Sequence, residues 1–220
     1  MGSDVLPCYV ACDVSPSMTD HLDEVNAGLR EFRGAVHADP PAAARTRVCV
    51  IGFAATATVL QPLRPAAELT GLRAPVARAG TDFGPAFTLL RETIAHDVRT
   101  LEAQRLRVHR PVVFFASDGR CTDPATWPGA FAALVDPSWP AHPTVIAFGL
   151  GAADRGTLDR IGTSGVFLGQ DGIRLGTALA VSVVRPTRRS GRTGPSTTRP
   201  LPLHGPDAPC VGEHRADQRG

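Results

Sequence analysis

The stretch "VLPCYVACDVSPSM", residues 5–18, combines a buried strand with an unusual polar ending. An apolar run from Val5 to Cys12 predicts a strand, and the run ends on a carboxylate, Asp13. Two hydroxyl side chains, Ser15 and Ser17, follow at alternate positions. Neither core packing nor turn formation alone requires one acid and two alcohols at the end of a buried strand.

Short apolar runs like this one recur along the chain and alternate with segments of helical period. The runs are Val5–Cys12, Val48–Phe53, Val112–Ala116, Val145–Leu150 and Val166–Leu168. Between the first two runs, apolar residues recur from Met18 to Val36 at spacings of four and three, which predicts an amphipathic helix. Weaker helical signals cover 83–101, 127–134, 154–161 and 175–184. The alternation predicts an α/β fold with a doubly wound, mostly parallel sheet and helices on both faces.

One connection breaks this alternation. Only a few residues separate Phe53 from the strand-like Thr58-Val59-Leu60. A crossover between parallel strands takes a dozen residues or more, so this piece is expected to pair antiparallel at the sheet edge.

The composition divides the chain into a domain at 1–185 and a tail at 186–220. The tail has no aromatic residue and is rich in Pro, Gly, Ser and Thr, so we predict that it is disordered. The tail holds six of the 23 Arg and three of the 21 acids, whereas residues 1–185 hold 17 Arg against 18 acids. The domain therefore lacks the basic excess that nucleic-acid binders usually carry, and no nucleic-acid partner is expected.

Features of the chain also favour a cytoplasmic protein. The N-terminus has no basic n-region and its apolar run breaks at Asp13, which argues against a signal peptide. No apolar stretch approaches the roughly 20 residues that a membrane-spanning helix requires, so no membrane partner is expected. The five Cys have no CxxC spacing, and those within strand-like runs are expected to be free thiols in a reducing compartment.

Three polar segments fall at or near the predicted strand ends. They are Asp13–Ser17, the loop "AGTDFGPAF" at 79–87, and Ser117-Asp118-Gly119. Ligands of doubly wound sheets collect at the carboxyl ends of the strands, where the strand order reverses. The segments offer hydroxyl and carboxylate oxygens without a convergent His or Cys. Such hard donors favour Mg²⁺, Mn²⁺ or Ca²⁺ over zinc.

The succession of Asp-x-Ser-x-Ser, Gly-Thr and Ser-Asp-Gly resembles the metal-ion-dependent adhesion site of von Willebrand factor A (VWA) domains. The resemblance covers about residues 5–185. Within that family the chain looks most similar to bacterial TerY-like proteins associated with tellurium resistance, on the stretches "VNAGLREF", "FGPAF" and "IAFGLG". Three positions depart from common family patterns, namely Pro16, Ala79 and Cys121, and none of them removes a ligand.

The resemblance implies a role for each site residue. Ser15, Ser17 and Thr81 would hold the ion through their hydroxyls, and Asp13 and Asp118 would act mainly through bound waters. Mg²⁺ is the first choice of ion, with Mn²⁺ or Ca²⁺ as alternatives. The implied function is a non-catalytic, cytosolic interaction module whose ion binds a carboxylate of a partner protein. The family suggests a kinase or a phosphatase of the same gene cluster as that partner.

Two alternatives stay open at the level of sequence. Asp13 and Ser15 are preferred helix N-caps and could merely cap the first helix, as Asp82 could cap the helix after residue 82, with Asp123 a turn residue. The chain could also be a Mg²⁺-dependent, phosphatase-like hydrolase with Asp13 as nucleophile. That reaction calls for a second acid where Ser15 stands, and the chain has no Lys to steady a phosphoryl group.

Overall fold

The computed structural model describes residues 4–72 and 80–184. The strands are β1 Asp4–Asp13, β2 Thr46–Phe53, β3 Ala57–Pro65, β4 Arg107–Val108, β5 Val112–Ser117, β6 Thr144–Gly149 and β7 Gly165–Leu168. The α-helices are α1 Leu22–His37, α2 Pro40–Arg45, α3 Phe83–Ala103, α4 Trp127–Leu134, α5 Arg155–Ile161 and α6 Leu175–Val184. None of these helices is long and apolar enough to cross a membrane. The tail at 186–220, predicted to be disordered, lies outside the described residues.

The strands form one sheet in the order β3-β2-β1-β5-β6-β7, and the short β4 pairs with the beginning of β1. Strand β3 is antiparallel to β2, and the remaining pairs are parallel. The predicted antiparallel edge strand is therefore confirmed. The chain leaves β1 through β2 and β3 on one side and returns to place β5, β6 and β7 on the other. The order reverses at β1, so its carboxyl end forms the crevice where ligands of such sheets bind.

Side chains that alternate along β1 divide the core into two layers. Cys8, Val10 and Cys12 pack in the layer that contains α1, α2 and α6. Tyr9 and Ala11 pack in the opposite layer, with α3, α4 and α5. Because both faces of the sheet are covered, β1 reads as a nearly continuous apolar run. The predicted doubly wound α/β architecture is confirmed.

Two elements of the fold have no counterpart in the predictions from sequence, namely α2 and the two-residue β4. Helix α2 has six residues, too few to show a helical period. It forms because Pro40 occupies its first turn and the Asp39 carboxylate accepts a hydrogen bond from the Ala42 amide at 2.8 Å. Met18, assigned to the first helix by its spacing, lies in a 3₁₀ turn at Pro16–His21 and is fully buried there.

The strand cysteines behave as small apolar residues. Cys8, Cys12 and Cys49 are buried free thiols. Burial raises the pKa of each to about 12, so these thiols stay protonated and unreactive at neutral pH. The predicted free thiols are thus observed within the strands.

A hydrogen bond between β1 and α3 makes a testable contribution to stability. The hydroxyl of Tyr9, which is fully buried on β1, donates to Asp97 Oδ2 on α3 at 3.1 Å. Burial raises the pKa of Asp97, and the Tyr9 hydrogen bond opposes this shift by favouring the ionised carboxylate. As the pH rises through that pKa, burying the charge costs stability, and the hydrogen bond offsets part of the cost.

We therefore expect Tyr9→Phe to lower the free energy of unfolding by roughly 1–2 kcal/mol at pH 7 and by less in acid. Urea titrations at both pH values measure the difference. Thr100→Val, which removes an exposed hydroxyl from the same helix, is the control. An equal loss at both pH values would contradict the role assigned to the Asp97 charge.

Candidate metal centre

The carboxyl end of β1 carries a buried acid that is held by hydroxyl and amide donors. Asp13 is fully buried; its Oδ1 accepts a hydrogen bond from the Ser15 amide at 2.9 Å and its Oδ2 accepts one from Ser117 Oγ at 2.6 Å. The hydroxyls of Ser15 and Ser17 lie 3.1 Å apart. Ser15 is buried whereas Ser17 is exposed, so the pair leads from the acid to the surface.

Asp118 follows the adjacent strand β5 and is also buried. Its Oδ1 accepts a hydrogen bond from the Arg120 amide at 3.0 Å. Gly119, between Asp118 and Arg120 in the sequence, has a φ of +77°. A Cβ at this position would lie 2.7 Å from the carbonyl oxygen of Asp154. The Asp154 amide donates to the Asp118 carbonyl at 2.8 Å. Glycine at 119 therefore allows the loops after β5 and β6 to close against each other.

Two hydrogen bonds of its backbone fix the position of Thr81. Its amide donates to Thr122 Oγ1 at 3.0 Å, and the Thr122 amide donates to the Thr81 carbonyl at 2.8 Å. Within the described parts of the chain, the Thr81 hydroxyl forms no hydrogen bond. As far as the described residues go, this oxygen is left available for a ligand.

Backbone hydrogen bonds bring the three predicted segments to the same edge of the sheet. The Val14 amide donates to the Phe53 carbonyl and the Asp82 amide to the Ala54 carbonyl, both at 2.8 Å, so the end of β2 contacts two of the segments. The third segment joins the first through the Ser117–Asp13 hydrogen bond. Direct contacts unite Asp13, Ser15 and Ser17, whereas Thr81 and Asp118 are connected to them through these loops.

The electrostatics of this edge fit a cation. Neither Asp13 nor Asp118 forms an ion pair with any Arg or His in 4–72 and 80–184. Burial raises the pKa of Asp13; hydrogen bonds from Ser117 and Ser15 counteract the rise, and the nearby charge of Asp118 adds to it. An uncompensated buried carboxylate is costly, and a divalent ion would remove that cost.

The donor set is poor in acids. The described residues contain no group of three His, Cys, Asp or Glu placed to hold a metal ion. The donors for an ion at this edge would be the carboxylates of Asp13 and Asp118. The remaining donors would be neutral hydroxyl oxygens, those of Ser15, Ser17 and Thr81. Such donors suit a hard cation and leave much of its charge unneutralised.

The alternative that Asp13 and Ser15 are simple helix caps is wrong. Ser15 precedes the 3₁₀ turn at Pro16–His21, but its side chain makes no capping hydrogen bond. The Asp13 carboxylate accepts from Ser15, outside that turn. Capping therefore does not explain either side chain.

The residue that caps α3 also differs from the prediction. Asp82 stands at the N-cap position, but its side chain makes no capping hydrogen bond to α3. Its Oδ1 instead accepts a hydrogen bond from Thr122 Oγ1 at 2.5 Å. Asp123, predicted as a turn residue, accepts from the amides of Phe83 and Gly84 at 2.9 and 2.8 Å. The contacts join segments about 40 residues apart, so no local pattern indicated them.

The chain matches no protein-family profile and no curated protein. Its fold is similar to that of proximal thread matrix protein 1 from the mussel byssus, at 17% identity and a TM-score of 0.57 over 83% of this chain and 48% of that one. It is similar to the ArnB paralog VWA2 from Sulfolobus acidocaldarius at 18% identity and a TM-score of 0.53, over 84% of this chain and 45% of that one. An aerotolerance-related membrane protein from Bacteroides fragilis has 15% identity and a TM-score of 0.54, over 81% and 96% of the two chains.

The Sulfolobus protein is named as a VWA protein, and the fold of this chain is a VWA-like α/β fold. The chain spans about half the length of the mussel and Sulfolobus proteins and nearly all of the Bacteroides one. At identities this low the similarity establishes the fold alone. The greater likeness to TerY-like proteins stays a prediction.

Thr122 is a positioning residue that the sequence analysis did not identify. We expect Thr122→Val to remove the hydroxyl that accepts the hydrogen bond of the Thr81 amide. The hydrogen bond from the amide of residue 122 to the Thr81 carbonyl should stay in place. The Thr81 amide should then exchange its proton faster, as measured by NMR hydrogen exchange. Thr58→Val, at an exposed position on β3, should leave this exchange unchanged. Unaltered protection of Thr81 in Thr122→Val would contradict the assigned role.

Proposed function

We propose that this chain is a non-catalytic protein-interaction module that binds an acidic residue of a partner protein through a divalent cation. The proposed ligand set is Asp13, Ser15, Ser17, Thr81 and Asp118. The observation that carries the proposal is the buried Asp13 carboxylate at the switch point of the sheet. It is surrounded by hydroxyl groups and has no basic partner among the described residues.

The chemistry of the donors supports a division of labour within this set. The hydroxyls of Ser15, Ser17 and Thr81 are neutral, so an ion that they hold directly keeps a strong attraction for a further carboxylate. Asp13 and Asp118 would balance its charge, mainly through bound waters. Mg²⁺ retains waters readily and is the ion we propose, with Mn²⁺ or Ca²⁺ as alternatives.

The state of Asp13 favours this reading over the phosphatase-like alternative. A nucleophilic carboxylate must present an oxygen to its substrate. Both oxygens of Asp13 accept hydrogen bonds, and the residue is fully buried. The position two residues later holds Ser15 instead of an acid, and the chain has no Lys. These features support a binding role without catalysis.

The proposed partner is a protein, and neither nucleic acid nor a membrane is included. The near balance of Arg and acids in residues 1–185 supports this choice. The resemblance to TerY-like proteins extends the proposal to a kinase or phosphatase of the same gene cluster, in a cytoplasmic stress or tellurium-resistance system. Its support is the sequence stretches "VNAGLREF", "FGPAF" and "IAFGLG".

The ion site is tested by thermal unfolding with and without divalent ions. We expect Mg²⁺ or Mn²⁺ to raise the Tm, because an ion that binds only the folded state stabilises it. Ser17→Ala and Thr81→Val should each reduce this rise, and Asp13→Ala combined with Ser15→Ala should abolish it.

Matched controls separate ligand loss from general damage. Ser164→Ala and Thr58→Val remove exposed hydroxyls elsewhere in the domain and should respond to the ions like the unmodified chain. Ser17→Ala is the cleanest variant, because Ser17 is exposed and its replacement leaves the core intact. An ion-dependent rise of full size in the double variant would place the ion elsewhere.

The absence of catalysis is tested directly. The purified protein with Mg²⁺ is expected not to hydrolyse p-nitrophenyl phosphate, since Asp13 is fully buried with both oxygens hydrogen-bonded and position 15 holds Ser instead of a second acid. Continuous absorbance measurement detects turnover. Hydrolysis that disappears in Asp13→Asn would overturn the binding proposal.

A further inference from the structure

Arg120 lies at the rim of the proposed ion site and is held there by both its backbone and its side chain. Its amide donates to Asp118 Oδ1 at 3.0 Å, and its Nη2 donates to the Ala152 carbonyl at 3.2 Å. Ala152 belongs to the loop after β6, which is joined to the end of β5 by the Leu150–Ser117 hydrogen bond at 3.1 Å. The exposed guanidinium is therefore fixed beside the site.

Arg120 forms no ion pair within the described residues, although its charge, after the Thr157 hydrogen bond, helps to lower the pKa of Asp154. A guanidinium has five N–H donors, and within 4–72 and 80–184 the side chain makes one hydrogen bond and no ion pair. Asp154, the acid that contacts this loop, accepts instead from the Gly156 amide at 3.0 Å and from Thr157 Oγ1 at 2.8 Å at the start of α5. Arg120 thus retains donors for a ligand.

The charge balance at the site favours a role for the Arg120 guanidinium in attracting a second acidic group. Once a partner carboxylate is bound, it and the carboxylates of Asp13 and Asp118 carry three negative charges against the two positive charges of the ion, so the occupied centre is negative overall. Asp82 and Asp154 add negative charge around it. A second acidic group would therefore be repelled at most of this edge and attracted beside Arg120.

The strand order sets the distance between the proposed ion and the Arg120 guanidinium. Neighbouring strands lie about 4.8 Å apart, and Ala152 follows β6, two strands from β1. By this spacing the guanidinium lies roughly 5–10 Å from the proposed ion, and beyond about 7 Å a single carboxylate cannot contact both. In an extended peptide, residues i and i+2 point to one side and are separated by roughly 6.6 Å.

We propose that Arg120 determines partner specificity, an inference that rests on the proposed function. It selects an extended acidic segment in which the carboxylate that binds the ion is followed or preceded, two residues away, by a second acidic side chain. A guanidinium suits this task because its planar set of donors matches a carboxylate.

The test uses the full chain and three blocked peptides of Gly and Ser that contain Glu-Ser-Glu, Glu-Ser-Gln or Gln-Ser-Glu. Calorimetry in Mg²⁺ and in chelator gives the Kd of each. We expect Glu-Ser-Glu to bind about threefold to fivefold more tightly than either single-acid peptide, the gain of one exposed ion pair. The gain should disappear in Arg120→Gln, shrink at high salt, and persist in Arg64→Gln, which removes an exposed Arg at the opposite sheet edge.

The outcomes separate this inference from the function beneath it. Equal binding of the three peptides in Mg²⁺, or a gain that survives Arg120→Gln, overturns the role of Arg120 and leaves the ion-dependent module standing. Loss of the Mg²⁺-dependent rise in Tm in Arg120→Gln also overturns it, because Arg120 would then act on the ion. If no peptide binds in an ion-dependent manner, the proposed function fails and this inference fails with it.

Discussion

The hydrogen bond from Ser117 Oγ to Asp13 Oδ2 joins the carboxyl ends of the two central parallel strands. It places a fully buried carboxylate where the strand order of the sheet reverses. Such a charge is tolerated only with donors or a cation beside it. The Ser117 hydroxyl and the Ser15 amide each donate one hydrogen bond to this carboxylate. No cationic side chain pairs with it among the described residues, and this lack of a positive charge is the basis of the proposed ion site.

The loops around this carboxylate are held by backbone contacts more than by side-chain pairs. Gly119 permits the close approach of the loops after β5 and β6, and the reciprocal Thr81–Thr122 contacts hold the loop before α3. Asp123 fixes the start of that helix. Because backbone groups hold these loops, the Thr81 hydroxyl forms no hydrogen bond within 4–72 and 80–184, and the exposed Ser17 hydroxyl contacts that of Ser15. Under the proposed function, a site built in this way would be preorganised for an oxygen-bound ion and for an external carboxylate.

In the proposed interaction, the rim of the site would decide which carboxylates are favoured. Buried acids and neutral hydroxyls are suited to hold an ion but distinguish poorly between partners, since any acid can approach it. Arg120 differs from them because its guanidinium is exposed, anchored and unpaired within the described residues. Binding and selection would thus fall to different residues of the same loops.

The sequence alone determined the fold class, because strands buried on both faces appear as continuous apolar runs and the longer helices show their apolar stripes. It also indicated that Asp13, Ser15, Ser17, Thr81 and Asp118 share one edge, since strand ends of a parallel sheet meet there. Short elements such as α2 lacked a detectable period. Only the tertiary structure decided the capping of α3 by Asp123, the support of Thr81 by Thr122 and the placement of Arg120 against Ala152. These contacts join residues roughly 30 to 40 positions apart, and no periodicity or local spacing encodes them.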